Sequence, residues 1–315
     1  MTDSGYRLVT RSDFDGLVSA MLLKELGLIS DIKFVHPKDM QDGIILIAEN
    51  DITTNLPYTK NAHLAFDHHL SETLRLESIP ENYIIDADAP STARVIYNHY
   101  GGASRFSAVS SEIMAAVDKS DTADFTLDDI LNPGGWVLIS FLMDARTGLG
   151  RFREFRVSNY QFMMGLIDCC RDHTAEEILA LPDSAERVSI YQAHQEPFVE
   201  QLKRCTTIRG GLGILDLRSE ETIYAGNRFM IYALFPEITV SLHVIWGLNR
   251  LNTVVAAGKS ILNRASSINL GEIMLGYGGG GHRNAGTCQI ENDDAERVLG
   301  ELIPRLSGGE LSGSG

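Results

Sequence analysis

The chain has 315 residues, 44% of them hydrophobic and 22% charged, which is enough apolar material for more than one packed domain. Its formal net charge of −15 argues against long nucleic acid as the main partner, because affinity for a phosphate backbone depends on clustered Lys and Arg. No apolar run reaches the ~18 residues that cross a membrane, and the N-terminus has no signal-peptide pattern. We therefore expect a soluble, cytoplasmic protein.

The first third of the chain alternates strand and helix patterns. Residues 6–10 are β-prone, the sequence SDFDG forms a break, and LVSAMLLKEL repeats apolar residues at helical spacing up to Gly27. Further strands are predicted at 43–48, 62–66 and 82–85, and further helices at 91–100 and 108–117. Strands that alternate with helices predict a parallel α/β sheet.

The second half changes character near Thr206. Residues 135–204 keep helical spacing, whereas TIRGGLGILDL, RFMIYALF, ITVSLHVIWG and NTVVAAG read as short β runs separated by glycines. The predicted fold is α/β, with a parallel-sheet N-terminal domain over 1–190 and a helical connector over 191–205. A smaller, β-rich α/β domain follows over 206–306, with the active site in the cleft between the domains. The Gly- and Ser-rich residues 307–315 are expected to be disordered.

Acidic residues follow several of the predicted strands. Asp13 and Asp15 lie in SDFDG, Asp51 follows the predicted strand 43–48, and FDHH and VDKSD provide two more clusters. The carboxyl ends of parallel strands meet at one edge of the sheet, so these side chains are expected to converge there. Carboxylates with one imidazole suit Mn²⁺ or Mg²⁺ better than a thiolate-rich zinc site. We predict two divalent ions, preferably Mn²⁺, with either Asp118 or Asp121 of VDKSD as the last ligand.

Four successive glycines, Gly278 to Gly281, precede His282 and Arg283. Glycine is favoured where the backbone bends sharply or approaches another group closely. Exposed backbone amides can bind an anion, and the two following side chains add charge-assisted donors. The segment therefore predicts a phosphate-binding loop, with a plain glycine hinge as the alternative.

The motifs SDFDG, FDHH, DKSDT and GGGGHRNAG, in this order, resemble those of the DHH phosphoesterase superfamily. The resemblance is strongest to the branch with a DHH-associated C-terminal domain, the nanoRNase and exopolyphosphatase-like proteins, and it covers about residues 6–290. DTADF is similar to the family pattern DTGSF, which favours Asp121 over Asp118. The resemblance implies the following metal ligands: Asp13, Asp15, Asp51, His68 and Asp121.

The same resemblance assigns catalytic and substrate-binding roles. It implies that His69 faces the phosphate, where it can donate a hydrogen bond or protonate the leaving group, and that Asp67 orients the histidine pair. The implied substrate-binding residues are Gly279, Gly280, Gly281, His282, Arg283 and, in a preceding stretch, Arg264. One departure stands out: many relatives carry a histidine shortly before the first aspartate, where this chain reads LVTRS over residues 8–12.

The resemblance implies a metal-dependent phosphodiesterase that hydrolyses short oligonucleotides or linear dinucleotides to mononucleotides, by attack of a hydroxide activated by two metal ions. It is compatible with a homodimer. An exopolyphosphatase and a 3′-phosphoadenosine phosphate phosphatase are alternatives that use the same ions. The missing histidine motivates a third alternative, a nucleotide-binding regulator with a decayed metal site.

Overall fold

The computed structural model describes residues 5–36, 39–40, 43–69, 72–73, 76–152 and 154–307. Two compact units divide the chain: the first comprises residues 1–125 and 133–190, the second residues 126–132 and 191–315. Most of the predicted tail, from residue 308 onward, lies outside the described residues. Among the described helices, none is both long and apolar enough to span a membrane.

The first unit contains a five-stranded sheet in the order β2-β1-β3-β4-β5, and all of its neighbouring strands are parallel. This confirms the predicted parallel α/β fold. The strands are β1 (Tyr6–Arg11), β2 (Ile29–Val35), β3 (Asp51–Thr54), β4 (Leu64–Asp67) and β5 (Tyr83–Ile85). The sequence patterns missed β2, whose exposed and buried positions do not alternate regularly.

The helices of this unit pack around a core that includes Leu8, Leu17, Ile52 and Phe66, all essentially inaccessible to solvent. Helix α1 is buried along most of its length: ten of its 12 residues, Phe14 to Leu23, are buried. The helices are α1 (Phe14–Glu25), α2 (Thr92–His99), α3 (Ser111–Asp121), α4 (Leu127–Leu131, which belongs to the second unit), α5 (Gly135–Met143), α6 (Asn159–Asp172) and α7 (Ala175–Ala180).

A 24-residue helix, α8 (Pro182–Cys205), runs from the first unit into the second. The residues predicted as a helical connector, 191–205, form the C-terminal part of this helix. The second unit then forms a six-stranded mixed sheet in the order β10-β11-β9-β8-β7-β6. Its strands are β6 (Thr206–Arg209), β7 (Leu212–Asp216), β8 (Val240–Trp246), β9 (Thr253–Lys259), β10 (Gly280–His282) and β11 (Ala285–Ile290).

Helices α10 (Leu270–Leu275) and α11 (Ala295–Leu306) cover one face of this sheet and bury Val240, Leu242 and Val255 beneath them. The β run expected in RFMIYALF is wrong: it forms α9 (Met230–Leu234). Successive residues Met230, Ile231 and Tyr232 are all buried there, without the alternation of a half-buried strand. The Tyr232 hydroxyl also accepts or donates a 2.8 Å hydrogen bond with Ser241 of β8, which holds this short helix on the sheet.

Candidate active site

The carboxyl ends of three neighbouring strands lie side by side in the first sheet. Thr10 of β1 is in register with Thr54 of β3, which is in register with Phe66 of β4. The Thr54 hydroxyl donates a 2.7 Å hydrogen bond to the Thr10 hydroxyl inside the core, which ties the first two strand ends together. The segments that leave these strands therefore start from one edge, as expected for an open α/β sheet.

The SDFDG segment forms the tight entry from β1 into α1. Asp13 is the N-cap of α1 and accepts a 2.9 Å hydrogen bond from the Gly16 amide. A Cβ on Gly16 would lie 2.1 Å from the Arg11 carbonyl oxygen, so only glycine allows the helix to start this close to the strand. This close turn places Asp15 in the first helical turn, where it is buried.

Asp15 is held by the N-terminus of α2. The Ala93 and Thr92 amides donate to its two carboxylate oxygens at 2.7 and 3.1 Å. Backbone donors at a helix N-terminus favour the charged form, but burial and the nearby charges of Asp121 and Asp13 raise the pKa of Asp15 to about 7. The carboxylate is thus fixed in position while its negative charge is only partly compensated by the protein.

Asp15, His68 and Asp121 come together at this edge, with one potential ligand atom from each lying within 4.8 Å of the others. His68 Nδ1 is 3.1 Å from the Ala89 carbonyl, to which it can only donate, so Nε2 is the ring atom that would give up its proton to bind a cation. Nε2 lies 3.0 Å from Asp121 Oδ2 but, among the described residues, has no hydrogen-bond partner of normal geometry.

This donor set fits a divalent metal ion. A histidine whose second nitrogen is fixed by a backbone carbonyl, with its free nitrogen facing two carboxylates, is the arrangement that metal-ligating histidines adopt. The electrostatics agree: burial would lower the pKa of His68, but the adjacent Asp121 and Asp15 raise it to about 9. Burial works against the charge of Asp121 as well, yet His68 holds its pKa below the usual range. The three residues attract positive charge.

Asp67 and His69 form a second pair next to this group. Asp67 is the last residue of β4 and is almost fully buried; its Oδ1 lies 2.6 Å from His69 Nδ1. Oδ1 also accepts from the His68 amide at 2.8 Å, and Oδ2 accepts from the Tyr83 hydroxyl at 3.0 Å. The carboxylate therefore fixes the ring of His69 and the backbone at His68.

Asp118 lies one helical turn before Asp121 but does not join the group. Its Oδ1 accepts a 2.8 Å hydrogen bond from the Ser91 hydroxyl, and its Oδ2 accepts from Arg94 Nε at 2.9 Å. Ser91 is also the N-cap of α2. The structure thus brings Asp121, the residue favoured by the family resemblance, close to Asp15 and His68, and it gives Asp118 contacts with α2 instead.

The prediction that Asp51 follows its strand is wrong. Residues 44–48 form no strand, and Asp51 is the first residue of β3, at the opposite edge of the sheet from Asp15. There it accepts hydrogen bonds from Arg7 Nε and Nη2 at 2.8 and 2.7 Å and from the Ala48 amide at 2.8 Å. The apolar run GIILIA, residues 43–48, led to the prediction of a strand there, but the strand is formed by DITT, Asp51–Thr54. Asp51 is a structural ion-pair residue in this geometry.

The residue that does follow β3 is Asn55, which the sequence analysis overlooked. It is 1% exposed, has a left-handed backbone (φ 57°), and its amide nitrogen lies 3.4 Å from Asp13 Oδ1. Within the described part of the chain, its Oδ1 has no hydrogen-bond partner. The β-branched run Ile52 to Thr54, ending in Asn, was the signal that could have identified this position.

The glycine-rich segment forms an edge strand rather than an open loop. Gly280 pairs with Thr287 and His282 with Ala285, in an antiparallel hairpin with β11. A Cβ on Gly279 would lie 2.1 Å from the Thr287 carbonyl oxygen, and one on Gly281 would lie 2.3 Å from that of Ala285. Close packing of backbone therefore accounts for these two glycines, while a Cβ on Gly280 would meet nothing within 4 Å.

Basic side chains surround the turn of this hairpin. His282 and Arg283 are exposed, and the Lys259 amide donates to the Asn284 carbonyl at 2.9 Å. Burial and the charge of Arg283 both lower the pKa of Lys259, so the two cations are near each other. Arg264 is exposed and donates from Nε to the Ile261 carbonyl at 3.0 Å. Lys259 is a phosphate-competent residue to which the sequence motifs assigned no role.

The first unit has a parallel sheet with a DHH tripeptide beside two carboxylates, and the second unit has a mixed sheet with a GGGGH hairpin. Together these features define a phosphoesterase of the DHH type. No family model matches the chain. The chain is 55% identical to a pGpG-specific phosphodiesterase, PggH, from Vibrio cholerae; the match covers 97% of this chain and 100% of that one, with a TM-score of 0.81. The chain belongs to the DHH phosphoesterase superfamily.

Two weaker similarities were also found. The fold is similar to that of manganese-bound exonuclease RecJ over 97% of this chain and 91% of that chain, with 14% identity and a TM-score of 0.53. In an alignment 100 residues long, which covers 28% of the chain, a segment is 31% identical to the A-adding tRNA nucleotidyltransferase of Aquifex aeolicus. That segment covers only 12% of the curated relative. The first similarity concerns the fold alone, and the second a short segment of a much longer protein.

Proposed function

We propose that the protein hydrolyses the phosphodiester bond of linear dinucleotides of the pGpG type, releasing two mononucleotides. The observation that carries this proposal is the meeting of Asp15, His68 and Asp121 in a chain that is 55% identical, along its length, to a pGpG-specific phosphodiesterase. The net charge of −15 is compatible with a short substrate, since a few local donors can bind one or two phosphates.

A divalent metal ion, Mn²⁺ or Mg²⁺, is held in this proposal by Asp15, His68 and Asp121. Carboxylate oxygens with one imidazole suit these ions, and Mn²⁺ accepts the imidazole more readily than Mg²⁺ does. When bound, such an ion lowers the pKa of water and neutralises charge on the phosphoryl group. The hydrogen bonds from Ala93 and Thr92 to Asp15 keep that carboxylate in place before the ion arrives.

His69 is proposed to exchange a proton with the reacting groups. Its Nδ1 is engaged by Asp67 at 2.6 Å, so Nε2 is the ring atom that can donate to a phosphoryl oxygen or to the leaving oxygen. Asp67 is 1% exposed and holds the His69 ring in this orientation. In hydrolysis, water oxygen bonds to phosphorus, the bond to the leaving nucleoside oxygen breaks, and that oxygen takes up a proton.

The second unit is proposed to bind a phosphate or the terminal nucleotide of the substrate. Lys259, His282 and Arg283 supply donors around the β10–β11 turn, and Gly280 leaves the backbone open to a ligand on one side. Arg264 is the further candidate cation from the stretch before α10. The proximity of Lys259 and Arg283 favours an anion there, because a bound phosphate would relieve their mutual repulsion.

Product analysis with defined substrates tests this function. The full-length protein with Mn²⁺ is incubated with pGpG, with pApA, with 3′-phosphoadenosine 5′-phosphate and with polyphosphate, and products are separated by ion-exchange chromatography. We expect GMP from pGpG at a rate well above phosphate release from the last two compounds. Orthophosphate release without dinucleotide cleavage would instead favour the exopolyphosphatase or phosphoadenosine phosphatase alternatives. Binding of pGpG without turnover under any metal would favour a regulator.

A further inference from the structure

The second metal position expected for this centre is already engaged by the protein. Asp13 was predicted to bind one of two ions, but its carboxylate is already paired with a cation of the protein, whereas the carboxylate of Asp15 accepts only from neutral backbone amides. Oδ1 accepts from the Gly16 amide at 2.9 Å, and Oδ2 lies 3.0 Å from Arg11 Nε. Asp13 is therefore an N-cap and an ion-pair partner, and a second ion would have to displace a guanidinium to reach it.

Arg11 lies within the field of the whole acidic cluster. Besides the charge of Asp13, the charges of Asp121, Asp15 and Asp144 raise its pKa, so the guanidinium stays protonated at any working pH. Its side chain is 33% exposed and is therefore partly accessible from solvent. Arg11 lies in the stretch directly before Asp13, residues 8–12, where the family resemblance notes a histidine in many relatives.

The predicted ligand Asp51, the carboxylate that could bridge two ions, does not lie at the sheet edge occupied by Asp15. Asp51 lies at the amino end of β3 and is bound by Arg7 at 2.7 Å. The residue at the carboxyl end of the same strand is Asn55, which is neutral and buried. An amide oxygen can bind one ion, but it lacks the charge that holds two cations close together.

We propose that this centre binds a single divalent ion, at Asp15, His68 and Asp121, and that Arg11 supplies the positive charge beside Asp13 in place of a second ion. The inference rests on the metal-dependent hydrolysis proposed above and concerns the number of ions in the same site. A guanidinium has five N–H donors and binds phosphate in a bidentate manner, so Arg11 also offers donors to a phosphoryl oxygen, a role that a metal ion would otherwise fill.

Metal stoichiometry tests the inference without any substrate. The full chain, freed of metal by chelation, is titrated with Mn²⁺, and bound ion is measured by equilibrium dialysis and by electron paramagnetic resonance. We expect one Mn²⁺ per chain and the spectrum of an isolated ion. Two ions per chain with the spectrum of an exchange-coupled pair would overturn the proposal.

Two variants sharpen the result. Arg11→His replaces the guanidinium by a metal ligand and is expected to bind a second Mn²⁺ and give a coupled spectrum. Arg7→His is the matched control: it changes the same residue type on the same strand, beside Asp51 at the other edge, and is expected to stay at one ion. If folded Arg11→His retains the first ion but acquires no second one, Arg11 is not what excludes it. Because no step requires turnover, a failure here is distinct from a failure to cleave pGpG.

Discussion

The Ala93 amide donates a 2.7 Å hydrogen bond to Oδ1 of Asp15, across 78 residues of sequence. This contact joins the start of α2 to the start of α1 and places a buried carboxylate beside His68. The same helix start contains Ser91, whose hydroxyl donates to Asp118 on α3, the helix that ends in Asp121. One helix N-terminus therefore contacts two of the elements that carry the proposed metal ligands.

The same substitution, Asp to Asn, is expected to have different effects at Asp121 and at Asp51, because only Asp121 is a proposed metal ligand. Asp121→Asn removes one charged ligand, and we expect the affinity for Mn²⁺ and kcat for pGpG hydrolysis to fall at least 100-fold with the fold intact. Asp51→Asn weakens the ion pair with Arg7 far from the ligands, so we expect near-normal turnover and a stability loss of about 1 to 3 kcal/mol. Calorimetric metal titration and urea unfolding measure the two effects. Loss of metal binding in Asp51→Asn with normal stability would contradict this division.

Ser91→Ala tests the link between α2 and α3. The substitution removes the N-cap of α2 and the hydrogen bond to Asp118, and we expect a stability loss of about 1 kcal/mol from the cap alone. Because ligand-supporting contacts typically change metal affinity 10- to 100-fold, we expect Mn²⁺ to bind at least ~10-fold more weakly as well. Ser91→Thr keeps the hydroxyl and should restore both values. Unchanged metal affinity in Ser91→Ala would show that the link does not support the ligands.

Two neighbouring glycines of the GGGGH hairpin should respond differently to alanine. Gly281 has φ +150°, and its Cβ would lie 2.3 Å from the Ala285 carbonyl oxygen, so Gly281→Ala is expected to cost about 1 to 3 kcal/mol of stability. Gly280→Ala meets nothing within 4 Å of the new Cβ and should change stability by less than ~1 kcal/mol. We expect Gly280→Ala instead to raise KM for pGpG, since the added methyl group would occupy the space beside the Gly280 backbone that is proposed to admit the substrate. Thermal unfolding and steady-state kinetics distinguish the two, and equal destabilisation would argue against this packing.

We expect His243 on β8 to make the second unit less stable at acidic pH. Burial and the charge of Arg228 lower its pKa to about 4, below the ordinary value of about 6.5 in the unfolded chain. The unfolded chain therefore binds the proton more tightly, so stability is retained above about pH 6.5 and is lost as the pH falls from there towards 4. We expect His243→Gln to lose less stability than the wild type between pH 7 and pH 5 in urea unfolding. An identical pH dependence in both proteins would show that His243 does not titrate as described.

The sequence predicted the parallel sheet and most of the elements that carry the candidate ligands, because apolar periodicity and the DHH motifs are local signals. It failed at Asp51, where an apolar loop next to a short DITT strand shifted the expected boundary and moved a carboxylate to the wrong edge. It also treated GGGGH as a loop, since no local pattern shows that Gly280 will pair with Thr287. The engagement of Asp13 by Arg11 depends on three-dimensional packing that spacing alone does not reveal.

Anomalous diffraction from crystals grown with Mn²⁺ tests the proposed centre most directly. The expected result is a manganese peak within coordination distance of Asp15, His68 and Asp121, with Arg11 still paired with Asp13. A peak beside Asp51 at the other edge of the sheet, or no peak in a crystal of protein that cleaves pGpG in the same Mn²⁺ solution, would contradict it.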